Sequence, residues 1–115
     1  MRYLLLLMDD EERVDSMADA ERRAIVDEHI AYGRRLRDAG AYAGGEALGS
    51  SAETRVLRRD GERAIVTDGP FAETKEQLGG FYVIECGGID DALRWAEQVP
   101  KSPGLVVEIR PIAEV

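Results

Sequence analysis

Asp68-Gly69-Pro70-Phe71-Ala72-Glu73-Thr74-Lys75-Glu76 is the stretch whose reading decides how this chain folds. Asp-Gly is a hairpin signal, but Pro70 follows at once and has no N–H to give to a ladder, so the chain must leave the sheet here. A structured loop results, ending at Leu78 or Gly79. A turn signal, a proline, an aromatic and four ionisable side chains within nine positions exceed what a simple connection requires.

Upstream of this loop, Thr54 to Arg59 and Arg63 to Thr67 flank Asp60-Gly61 and read as a peripheral, half-exposed hairpin. Downstream, Gly80 to Cys86 is a strand with Phe81 and Val83 on one face and Tyr82, Ile84 and Cys86 on the other. Asp90 is placed to cap a helix of Asp91 to Gln98, stopped by Pro100, and Leu105 to Ile109 makes the last strand, ended or edged by Pro111. At the start, Tyr3 to Met8 is too short for a helix, apolar on both faces and closed by an acidic turn, Asp9-Asp10-Glu11-Glu12, which suits a strand in the middle of a sheet. Ser16 with Asp19 forms a weakened capping box for a long helix, Ser16 to Ala39, closed by Arg34, Arg35 and Arg37 and by Gly40 as a left-handed cap. Its apolar stripe runs Ile25, His29, Tyr32, Leu36 and Ala39, so the single histidine points inward. Ala41 to Ala43 is a short strand leading to Gly44-Gly45.

This order makes residues 1–115 one α+β domain, a ferredoxin-like split βαβ plan with an inserted β-hairpin. Three strands are apolar on both faces or nearly so, yet the plan has only two helices, both on one face. The bare face predicts a homodimer with the sheets packed against each other. A formal charge of −8 argues against nucleic acid and against an anionic membrane surface as partners. Cys86 is the only cysteine, and the first apolar run is too short for an export signal or a membrane span, so a cytoplasmic location is expected.

Among residues that carry chemistry, His29 comes first, because its ordinary pKa suits proton transfer near neutrality. The bland alternative is a core histidine bonded to a backbone carbonyl. Asp68 is the acid to pair with it, standing where strand gives way to loop, and its own alternative is plain turn chemistry. Glu73, Lys75 and Phe71 are read as substrate contacts, against a solvated face for the charges and a core or interface role for the ring. Cys86 reads as an inert thiol. No metal spacing, phosphate loop or dinucleotide fingerprint is present, so no cofactor is expected.

Asp68 through Glu76, continuing into Gln77-Leu78-Gly79-Gly80-Phe81-Tyr82, closely resembles the signature of the DGPF subgroup of the YCII-related proteins. Tyr3-Leu4-Leu5-Leu6, Ala39-Gly40, Gly44-Gly45-Glu46-Ala47-Leu48 and Val107-Glu108-Ile109-Arg110-Pro111 extend the resemblance over essentially the whole chain. It implies a dimeric ferredoxin-like α+β barrel, similar to small lactone isomerases and dehydrochlorinases. It also implies a His-Asp pair in a cleft near the dimer interface, with His29 matching the family's helical histidine and Asp68 standing for the acid. The function expected is a small cofactor-free acid/base enzyme of isomerase or lyase type, or else a metabolite-binding or regulatory module. Some DGPF proteins are encoded beside extracytoplasmic-function sigma factors, which implies such a factor as a regulatory partner.

Overall fold

The computed structural model describes residues 1–70 and 74–115. Strand β1 (Arg2–Asp9) lies inside a four-stranded antiparallel sheet between β5 (Gln77–Glu85) and β6 (Val106–Pro111), with β2 (Tyr42–Ala47) on the far side of β5. The run of leucines goes to the centre because both of its faces are apolar. On one face, Tyr3, Leu5 and Leu7 meet Ile84 and Tyr82 of β5 and Val107 and Ile109 of β6. On the other, Leu4, Leu6 and Met8 meet Val83, Phe81 and Leu78.

Among the described residues all of the fully enclosed core belongs to the first face, where α2 (Asp19–Asp38) contributes Tyr32 and Leu36 and α3 (Ile89–Glu97) contributes Ala92. The mixed α+β arrangement and antiparallel strand order are consistent with a ferredoxin-like fold. α2 closes as its sequence predicts. Gly40, at φ 70°, lets its own N–H reach the Arg37 carbonyl and that of Ala41 reach the Leu36 carbonyl, satisfying two otherwise orphaned acceptors.

Four local features differ from the sequence reading. The acidic run after β1 is a short helix, α1 (Glu11–Asp15), because Asp10 caps it by accepting from the Arg13 N–H at 3.3 Å. Ser16 therefore ends α1, donating to the Glu12 carbonyl at 2.8 Å, and α2 starts only at Asp19, which pairs with Arg22. β2 runs straight through Gly44-Gly45 instead of stopping before them, with a bulge between Tyr42 and Gly44. In α3, Gly88 rather than Asp90 holds the N-cap position, and Asp91 accepts from the Gly87 N–H.

Among the described residues β3 (Arg55–Asp60) and β4 (Arg63–Asp68) pair only with each other, across Gly61 at φ 62°. Gly69 accepts no side chain, since a Cβ there would stand 2.8 Å from Thr54 Cγ2. The chain leaves this ribbon at Gly69-Pro70, a cis peptide, and re-enters the main sheet at Gln77. The ribbon has no buried residue, and Leu57 and Val66, directly opposite one another, are 56% and 59% exposed. The radius of gyration, 16.0 Å, accordingly exceeds the roughly 13 Å of a compact domain this long.

Candidate functional site

α2 is buried on the sheet through Tyr32 and Leu36, while the side that carries Ile25, His29, Gly33 and Arg37 borders a cleft of about 720 Å³ along most of the helix. That is the size of a small-molecule site. The floor is β1 and β5, and β2 forms the side wall. Glycines make the room. A Cβ at Gly45 would stand 2.8 Å from the Phe81 carbonyl oxygen and 2.9 Å from Tyr82 Cδ1, and one at Gly79 would stand 3.2 Å from Asp9 Oδ2. Any larger residue at 45 displaces Tyr82, and any larger residue at 79 crowds the Asp9 carboxylate.

His29 projects from α2 into this cleft, and its Nδ1 shares a hydrogen bond of 2.7 Å with the Tyr82 hydroxyl. The two rings lie nearly parallel, 13° apart, with centroids separated by 5.9 Å. Tyr82 is held in turn by the edge of Tyr32 at 5.1 Å, whose hydroxyl donates to the Trp95 carbonyl on α3 at 2.7 Å. Both helices thus fix the orientation of one phenol. Burial pushes the His29 pKa below its ordinary 6.5, against a smaller opposing effect of Glu28, and pushes the phenols of Tyr82 and Tyr32 up. At neutral pH the pair is therefore uncharged. No described group bonds His29 Nε2, and no buried side-chain N or O lacks a partner among the described residues, so Nε2 is open to solvent on a side chain that lines the cleft.

A second titratable group lies at the opposite end. Asp9 is half-buried, and its pKa is raised first by burial and then by Glu11, Asp10 and Asp15, while a hydrogen bond with Ser102 opposes the shift. Leu5, opposite Tyr82, and Asp9 are four residues apart on β1, about 13 Å of strand. Asp9 and His29 thus serve two ends of one cleft. Near the His29 end, the Arg37 guanidinium lies over the Tyr42 ring, 4.2 Å from its centroid. Among the described residues no three His, Cys, Asp or Glu side chains gather as a metal ion requires.

Of the residues singled out by sequence, His29 lies in the cleft and Asp68 does not. Asp68 ends β4 with its side chain 89% exposed, 3.4 Å from Arg55, so this chain does not bring the two together. Lys75 is exposed and lines a separate polar hollow with Asp10, Glu11 and Asp15. Phe71 and Glu73 lie outside the described residues. Cys86 is half-buried, its thiol directed at the Gly88 carbonyl. Sequence reasoning missed Tyr82, Asp9 and Arg37 as cleft residues. The available signal for Tyr82 was alternation along β5, which puts it on the same face as Ile84 and hence towards the helices.

A family model described as the YCII-related domain matches residues 1–115. An uncharacterized protein of Rhizobium meliloti (strain 1021) is 34% identical over 115 residues, an alignment covering 98% of this chain and 93% of that protein.

Proposed function

Because the chain belongs to the YCII-related domain family, we propose that it is a small acid/base protein in which His29 exchanges a proton with an organic substrate bound in the cleft. The observation that carries this reading is the uncharged His29–Tyr82 pair, bonded at 2.7 Å and facing about 720 Å³ of open space. With Nδ1–H donated to the Tyr82 oxygen, the Nε2 lone pair faces the cleft and takes a proton from carbon next to a carbonyl. Return of that proton to another carbon completes an isomerisation; loss of a leaving group from the neighbouring carbon completes an elimination. His29 and Tyr82 make these transfers without a cofactor. Tyr82 thereby takes the orienting role that the sequence assigns to Asp68.

The Asp68-Gly69-Pro70-Phe71 signature supports membership of the DGPF subgroup. The sheet face away from the helices supports a homodimer of barrel type in which β3 and β4 form an insertion. Leu4, Leu6, Phe81 and Val83 on that face are only half-buried, and Leu78 and Val106 are exposed. A second reading, a metabolite-binding module using the same cleft in the cytoplasm, is favoured by the exposure of Asp68.

The test is deuterium exchange at carbon, followed by NMR in D2O, over a panel of small lactones and keto acids. The acid/base reading expects exchange that His29→Asn slows by ~10²- to 10⁴-fold while the fold is retained. Binding in the cleft without exchange of any panel member supports the module, and equal exchange by wild type and variant contradicts the acid/base role.

A further inference from the structure

Two exposed guanidinium side chains, Arg34 and Arg37, line this largely apolar cleft without an acid among the described residues to answer them, and of the two Arg37 is the one seated over an aromatic ring. Arg37 follows His29 by eight residues on the same side of α2, about 12 Å of helix rise. Its side chain, however, leans back towards the helix N-terminus as helical side chains do. Nη1 comes within 3.2 Å of where a Cβ on Gly33 would stand, so the bare Cα at 33 admits the guanidinium to a level one turn, about 6 Å, from His29. The guanidinium carbon lies over the Tyr42 ring, and the charge is felt at the Tyr82 phenol.

Among the described residues no carboxylate forms an ion pair with Arg37 and no acceptor takes its N–H groups. A guanidinium offers a planar fork that matches a carboxylate with two parallel hydrogen bonds. The surroundings limit the charge of the ligand. Arg37 lies in the last turn of α2, where the helix dipole is negative, on a protein of net charge −8, which disfavours a polyanion but leaves one short-range pair intact.

We infer that Arg37 anchors the carboxylate of a small organic monoanion, whose apolar body extends along the cleft towards His29 and Tyr82. The inference rests on the cleft being the functional site, as proposed above, and names its substrate class. Gly33 and Tyr42 act as positioning residues for the guanidinium.

Benzoate and its neutral isostere benzamide separate the charge from the shape. Titration of the protein with each, followed through the backbone amides of Gly33, Gly45 and Gly80, should show saturable binding of benzoate at least tenfold tighter than benzamide. Arg37→Gln should remove that preference, and Arg37→Lys should restore part of it, because the charge returns without the fork. Equal affinity of wild type for the two probes, no binding of benzoate, or a preference unchanged in Arg37→Gln overturns the inference. The wild-type comparison decides by itself if the variant does not fold. In His29→Asn benzoate binding should persist, so failure of the acid/base chemistry and failure of the carboxylate anchor give different results.

Discussion

The helical face of the main sheet and the β3–β4 ribbon use the same antiparallel pairing of apolar residues, yet they reach opposite environments. Tyr3 opposite Ile84 is enclosed by two helices, whereas Leu57 opposite Val66 is left to solvent. Ionisable groups follow suit. In the cleft, burial shifts His29 down and Asp9 up, so their proton affinities are set by the protein. On the ribbon, Asp68 meets Arg55 in water, where such a pair contributes little. The most distinctive sequence and the most perturbed chemistry therefore occupy different parts of the molecule, and desolvation, more than density of charged residues, marks the candidate site.

Function should show the largest contrast. Against the ~10²- to 10⁴-fold loss expected of His29→Asn, Asp68→Asn should leave exchange within about fivefold of wild type, the range of a surface ion pair. A loss comparable to that of His29→Asn would join the two regions into one site and break the comparison.

Stability comes next. Leu5→Ala, at a fully enclosed position, should cost about 2–5 kcal/mol in urea unfolding. Leu57→Ala should stay within ~0.5 kcal/mol, as for other exposed positions. A larger cost at Leu57 would mean that the ribbon is covered in solution, by a second copy of the chain.

A smaller effect sharpens the cleft side. The Asp9 carboxyl has a raised folded-state pKa, so the native state holds its proton more tightly than the unfolded chain. Its ionisation costs stability above that pKa, and the cost disappears below the unfolded value near 3.8, where both states are protonated. Asp9→Asn should melt higher than wild type at pH 7, with the gap closing as pH falls towards 3.8. An unchanged gap, or a lower melting point at pH 7, would show that the carboxylate is not penalised there.

Much of this architecture was legible because it rests on short-range rules. The apolar run at Tyr3 placed β1 in the sheet's interior, Gly40 marked the end of α2, Asp60-Gly61 marked a turn, and helical spacing aimed His29 inward. The start of α1 was obscured because an acidic run suits both a turn and a helix N-terminus, and Asp10 decides between them by capping. The partner of His29 was not legible, since 53 residues separate it from Tyr82 and only the seating of α2 on β5 joins them. Arg37 was read as a charge at a helix end; its return along the helix, close over the bare Cα of Gly33, is a matter of side-chain conformation that helical spacing does not show.

His29 is the only histidine in the chain, so its ring gives a single resolved titration by proton NMR. The midpoint in the native protein should fall below 6.5 and return to about 6.5 in the urea-unfolded chain. By linkage, native stability should decline as pH falls from 6.5 to the depressed native value, because there the unfolded chain binds the proton more tightly. A native midpoint at or above 6.5 would contradict the central claim, showing a ring that is open to solvent or paired with an acid instead of an uncharged base held by Tyr82.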